Sequence, residues 1–155
     1  MSRQPPLVLL VAADGLTRRQ VSATLEIYGH HVVTAADGRE GLACLTEHGA
    51  RVAVVVADAD MGGEVDALEV AAQARRLNPK TAVIYTARRP QAIPARRQVS
   101  GAPVIRTPYH PHQLAGVIAL VRQDARAPEG RSEDARQEAR SSDARPARAG
   151  ARAAA

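Results

Sequence analysis

A chain of 155 residues with 45% apolar side chains but no Phe and no Trp must build its core from Val, Leu, Ile and Ala. That composition suits helices laid over a parallel sheet in one domain of ordinary size. The single cysteine, Cys44, excludes an internal disulfide, no apolar run reaches membrane-span length, and the distribution of the +5 net charge says more than its total.

The start, with Arg3 followed by Pro5 and Pro6, lacks a signal-peptide cleavage pattern. A short extension over residues 1–6 and a cytoplasmic protein are the default expectations. Leu7 to Ala12 is a buried apolar run and reads as the first strand, broken by Asp14-Gly15. From Leu16 to Tyr28, the residues Leu16, Val21, Leu25 and Ile27 fall roughly at helical spacing, and Gly29 stops the helix. Val32 to Ala35 is a short strand. Asp37-Gly38 then turns the chain into a helix carrying Gly41, Leu42 and Leu45, which ends at Gly49. Cys44, between Leu42 and Leu45, reads as a buried helical thiol and not as a nucleophile.

Val52 to Ala57 is an unbroken run of small and β-branched apolar residues. It is too short for a helix and does not alternate, which is the pattern of a parallel strand buried on both faces. Asp58 and Asp60 follow where that strand ends. In an open α/β sheet, ligands sit at the carboxyl ends of the central strands. Asp58 therefore has two readings, a functional carboxylate or the cap of the next turn.

Val65, Leu68, Val70 and Leu77 mark a third helix, stopped by Asn78-Pro79. Thr81 to Thr86 is a fourth strand. Pro90 and Pro94 make the next segment a short or irregular helix. Pro103 to Arg106 is a fifth strand. Pro111 to Val121 is a last helix with Leu114, Val117, Ile118 and Val121 as its buried stripe. Strands alternating with helices imply right-handed crossovers and a doubly wound α/β sheet. The domain so defined spans residues 7–122.

Residues 123–155 change character. Ala, Arg, Ser, Pro and Asp dominate, and an acid-Ala-Arg triplet recurs at irregular spacing. Such a tail buries too little apolar surface to offset its ordering entropy and reads as disordered, with no appended output domain.

In order and separation, these marks resemble the receiver domain of bacterial two-component response regulators. The first strand runs into an acid and then Leu16-Thr17-Arg18, where the family has an acidic turn and Leu-x-Arg. Ala36-Asp37-Gly38-Arg39-Glu40-Gly41-Leu42 is similar to the family's Ala-x-Asp-Gly-x-Glu-Ala-Leu. Asp58-Ala59-Asp60-Met61-Gly62-Gly63 with Asp66-Ala67-Leu68-Glu69 resembles the stretch after the phosphoacceptor strand. Thr86-Ala87 stands at the Thr/Ser-Ala position and Thr107-Pro108-Tyr109 at the Lys-Pro-aromatic position. The resemblance implies a five-stranded parallel sheet of order 2-1-3-4-5. It also implies a partner histidine kinase or phosphotransfer protein that phosphorylates Asp58 in the presence of Mg²⁺, with Thr86 and Thr107 contacting the phosphoryl group. Such a domain is a switch and not an enzyme.

The sequence departs from that pattern at the charges. The acidic pair that holds Mg²⁺ falls on Ala12 and Ala13, and only Asp14 is acidic. The phosphoryl-gripping Lys falls on Thr107, and the aromatic switch position on the fifth strand falls on Val104. Losing one preorganised electrostatic contact costs about 2.7–4 kcal/mol of barrier, so two losses predict phosphoryl uptake slowed by several orders of magnitude. Two substitutes are conceivable. Asp14 and Asp60 together with Asp58 form one candidate cation site. Arg106 is the other, although strand alternation points it away from Thr107. Against these stand plain structural readings: Asp14 as a helix cap, Asp60 as a solvated loop acid, and Thr86 as an ordinary strand-end hydroxyl. The pairs His30-His31 and His110-His112 read as surface histidines in preference to metal ligands.

Between Glu69 and Asp124 the sequence holds no acid but many Arg and Lys residues. A positive face with Arg88, Arg89, Arg96 and Arg97 suits an acidic protein partner. With no helix-turn-helix signature and few aromatics, specific nucleic-acid reading is not expected. A haloacid-dehalogenase-type phosphohydrolase also places Asp-x-Asp after a buried strand. It needs a further acidic pair downstream, which the stretch from Val70 to Gln123 lacks.

Overall fold

The computed structural model describes residues 4–126. The elements run β1 (Leu7–Val11), α1 (Gly15–Ile27), β2 (His31–Ala35), α2 (Gly38–His48), β3 (Val52–Asp58), α3 (Ala67–Leu77), β4 (Ala82–Ala87), β5 (Val104–Arg106) and α4 (Pro111–Arg126). The five strands pair in parallel in the order β2-β1-β3-β4-β5. The doubly wound sheet expected from the alternation is therefore present. The helix expected between β4 and β5 is replaced by two 3₁₀ turns, Pro90–Ala92 and Ala95–Arg97, as its prolines require. The last helix runs beyond Val121 to Arg126 and takes in the first residues of the stretch read as a tail. The remainder of that reading, and the first half of the N-terminal extension, fall outside the described residues.

Two apolar layers sandwich the sheet. Alternation along β1 sends Leu7, Leu9 and Val11 into one and Val8 and Leu10 into the other. The first layer packs against α2 and α3 through Leu45, Val70, Ala71 and Ala74. The second packs against α1 and α4 through Val21, Leu25, Leu114 and Ile118. Along β3 the alternation slips, because Leu7 pairs with Val52 but Val8 pairs with Val54. Past this irregularity Val54 and Val56 face α1 and α4, and by the same period Asp58 follows them.

Three helices are capped alike. Asp14, Asp37 and Asp66 each accept a backbone N–H three residues on, from Thr17, Glu40 and Glu69. The cap at Asp66 starts α3 at Ala67, so Val65 precedes the helix that the sequence pattern assigned it to. Leu16 and Ile27 are 55% and 81% exposed and leave the expected stripe of α1. Only Val21 and Leu25, four apart, face the sheet. Ile27, two residues after Leu25, is carried round to the far side of the helix. Leu77 is likewise exposed at the last residue of α3. Val117 and Val121 are only half buried, so Leu114 and Ile118 carry the α4 contact.

Gly38 opens α2 where a Cβ would stand 1.9 Å from the Val65 carbonyl oxygen, so no side chain fits without moving backbone. Gly116 on α4 has open space around it. Gly38→Ala is expected to cost about 1–3 kcal/mol of stability, and Gly116→Ala to add about 0.5–1 kcal/mol through helix propensity. Urea unfolding of the two variants checks both signs.

Candidate functional site

Four strand ends meet at the carboxyl edge of the sheet. By alternation Ala12, Asp58, Thr86 and Thr107 continue the layer facing α1 and α4, after Leu10, Val56, Ile84 and Ile105 respectively. Asp58 and Thr86 are direct partners in the β3–β4 register. All four residues line one cleft of about 900 Å³, which Asp14, Asp37, Asp60, Arg88 and Tyr109 also reach. The structure thus gathers the site residues expected from sequence, Asp14, Asp58, Asp60, Thr86 and Thr107, into one place. The Thr107–Pro108 peptide is cis.

Asp58 carries both of its readings at once. Its Oδ1 accepts the Asp60 N–H at 3.0 Å, an Asx-type turn, and its carboxyl lines the cleft. Burial pushes its pKa above the usual carboxylate value. The Asp60 charge adds to this, and the Asp60 N–H and Arg88 oppose it. Beside it, Tyr109 is pushed up to about 12, first by burial and then by the Asp58 charge. The phenol stays protonated at neutral pH. Thr86 is 4% exposed.

The neighbouring acids are committed elsewhere. Asp14 Oδ2 accepts from the Thr17 N–H at 2.9 Å and the Thr17 hydroxyl at 2.6 Å. Those bonds hold its pKa below the usual range. Its cap reading is met. Asp60 Oδ2 accepts the Arg88 N–H at 2.8 Å and lies 3.6 Å from Arg88 Nε, so it braces the chain after β4 and is not merely a solvated loop acid. Arg18 Nη1 donates to the carbonyls of Ala12 and Ala13, at 2.6 and 2.8 Å, and ties down the loop after β1. Sequence reading placed Arg18 in a family mark but gave it no part in the site. Its position one turn into α1, i+4 from the Asp14 cap, was the available signal.

Mg²⁺ asks for near-octahedral oxygen donors and releases its water reluctantly. Among the described residues no group of three or more His, Cys, Asp or Glu is placed to hold a metal ion. Ala12 and Ala13 bring no donor side chain, and Asp14 and Asp60 face their own partners. The donor set does not fit the ion. Arg106 is exposed and does not line the cleft, and Thr107 brings a hydroxyl where a cation is needed, so no positive side chain stands at that position.

The remaining expectations sort simply. His112 Nδ1 pairs with the Tyr28 hydroxyl at 2.8 Å and its ring stacks on His110, while His30 keeps a buried Nδ1 without a partner. Cys44 is half buried, and burial raises its thiol pKa, as an unreactive thiol requires. On the basic face, Arg97 forms a two-pronged pair with Asp66, both contacts 2.8 Å, and Arg88 is paired with Asp60. Arg89 and Arg96 are left exposed on that face. The Tyr85 hydroxyl, buried in the α2–α3 layer, accepts the Val99 N–H at 2.8 Å and anchors the segment that carries these arginines.

No protein-family model matches the chain. The transcriptional regulatory protein AfsQ1 of Streptomyces coelicolor is 35% identical over 83 residues, 54% of this chain and 36% of that protein, so the match spans about a third of the relative's length. A response regulator receiver protein from Sinorhizobium medicae superposes with a TM-score of 0.73 at 20% identity, covering 80% of this chain and 99% of that one. The response regulator TrrA from Thermotoga maritima, solved in complex with Mg²⁺ and BeF, gives 0.64 at 18% identity over 74% of this chain and 97% of its own. The fold with its sheet order, taken together with the sequence match to a response regulator, defines the described body of the chain as a receiver domain of the two-component signalling class.

Because the Asp58 pKa is raised, the folded state holds that proton more tightly than the unfolded chain. Its stability contribution is complete below the ordinary value of 3.8 and is lost as pH rises from there through the folded pKa. Asp58→Asn keeps the turn acceptor and removes the charge. It is expected to raise the melting temperature at pH 7, with the gain shrinking as pH falls toward 3.8. Thermal unfolding of both proteins across pH 3–7 checks the sign.

Proposed function

We propose that this receiver works as an atypical signalling module. It keeps the acceptor carboxylate and acts through protein–protein contacts, without the Mg²⁺-dependent phosphoryl uptake that the resemblance implies. One observation carries the reading. The positions that would neutralise an incoming phosphoryl group hold Ala12, Ala13 and Thr107, and the remaining acids are tied to Thr17 and Arg88. An in-line attack by Asp58 would place phosphoryl charge against an already desolvated carboxylate with no free cation in the cleft. A conventional phosphoacceptor role at Asp58, served by a histidine kinase or phosphotransfer protein, is the second reading. The direct pairing of Asp58 with Thr86 favours it. The haloacid-dehalogenase-type reading gains nothing, since its metal site needs acids that the cleft does not assemble.

The partner surface in this reading is the segment after β4. With Arg88 and Arg97 neutralised in pairs, Arg89 and Arg96 remain as exposed positive charges. They suit an acidic protein surface approached by charge steering. Specific nucleic-acid recognition has no reading element here, and among the described residues no helix is long and apolar enough to cross a membrane.

Incubation with acetyl phosphate and Mg²⁺, followed by intact mass, tests the reading. The expected outcome is no appreciable phosphoryl adduct over a time in which a conventional receiver is modified. Rapid, Mg²⁺-dependent modification at Asp58 overturns it. The variant Ala12→Asp/Ala13→Asp/Thr107→Lys restores the absent charges. It is expected to gain Mg²⁺-dependent modification by at least about a hundredfold, since each contact is worth about that much in rate.

A further inference from the structure

We propose that the cleft over Asp58 is a binding site for a small organic cation, an ammonium group carried on an apolar or aromatic body. The inference rests on the reading that this cleft is not a Mg²⁺–phosphoryl site. It goes further by naming what the site takes instead.

Four observations point to that class of ligand. The first is charge. Asp14, Asp37, Asp58 and Asp60 line the cleft against the single guanidinium of Arg88, which Asp60 already faces. The cleft favours cations and repels phosphate. The second is an unused polar group. Thr86 is 4% exposed, its hydroxyl has no hydrogen-bond partner in the protein, and the residue lines the cleft opposite Asp58. A buried hydroxyl left unpaired is costly, and an N–H donor on a ligand satisfies it. The third is the wall. Leu10, Val21, Met61, Pro108 and Tyr109 supply apolar surface and one aromatic ring. An ammonium beside such a ring is attracted to it, and the ligand's body removes apolar surface from water. The fourth is size. Alanines at positions 12 and 13 and a short Thr107 leave a space of about 900 Å³, on the scale of small-molecule pockets.

An inorganic divalent ion asks for several free oxygen donors, and the acids here are individually committed. An ammonium asks for one carboxylate and one or two further acceptors. The Asp58 oxygen not engaged by Asp60, together with the Thr86 hydroxyl, meets that demand. Binding also relieves the desolvated carboxylate, because a cation placed beside it supplies the counter-charge that the strand end lacks.

Titration of the full-length protein with benzylammonium, followed by backbone amide chemical shifts, tests the proposal. The neutral isostere benzyl alcohol, inorganic phosphate, and Mg²⁺ with beryllofluoride serve as parallel arms. The expected result is saturable shifts confined to the loops carrying Ala13, Asp58, Thr86 and Tyr109. Benzyl alcohol should bind at least about tenfold more weakly, since charge-assisted hydrogen bonds are the stronger class. Asp58→Asn should lose at least about tenfold in affinity, and Thr86→Val several-fold, in proteins whose spectra remain folded. Equal response to ammonium and alcohol, unchanged affinity in Asp58→Asn, or shifts spread outside the cleft overturn the proposal. No response to benzylammonium or to Mg²⁺–beryllofluoride also overturns it while leaving the atypical-receiver reading in place. A saturable Mg²⁺–beryllofluoride response at Asp58 overturns both.

Discussion

Asp58 ends a strand whose preceding residues are almost wholly withdrawn from water, and its carboxyl is carried partly out of solvent with them. A carboxylate in that position needs a metal ion, a cationic side chain, or several N–H donors to remain charged at little cost. It has one firm donor, the Asp60 N–H, and a distant guanidinium that serves another acid. Its raised pKa is the thermodynamic mark of that shortage.

The fold explains why the carboxyl sits there at all. Parallel pairing fixes β3 between β1 and β4, and the irregularity near the start of β3 sets which side chains face α1 and α4. From that point alternation delivers Asp58 to the same face as Thr86 and Ala12. The surrounding hydrogen bonds then keep the other acids apart. Asp14 starts α1, Asp37 starts α2, and Asp60 holds the chain leaving β4. Each interaction is local and modest, about 1 kcal/mol for a cap. Their joint effect is a receiver scaffold with an acidic mouth and no assembled cation site among the described residues. Signalling through such a domain rests on surfaces and on what the cleft admits.

Much of this was legible in the chain. The uninterrupted Val52–Ala57 run fixed the central strand, and the Asp-rich caps and Asn78-Pro79 fixed most helix limits. The acids and hydroxyls singled out from the residue pattern all reach one cleft. What the sequence could not show was which partner each group would choose. Asp60 and Arg88 are adjacent only because β3 and β4 are paired, and Arg97 meets Asp66 across a gap of 31 residues. A one-dimensional count of arginines therefore overstated the free charge on that face. Leu16 and Ile27 look like core on apolar count alone, yet only the four-residue spacing of Val21 and Leu25 matches the sheet.

The most direct measurement of the central claim is the pKa of the Asp58 carboxyl, followed by carbon NMR as a function of pH with and without millimolar Mg²⁺. The account predicts a titration above the ordinary 3.8 that Mg²⁺ leaves in place. A pKa below that value, or one driven down when Mg²⁺ is added, would contradict it.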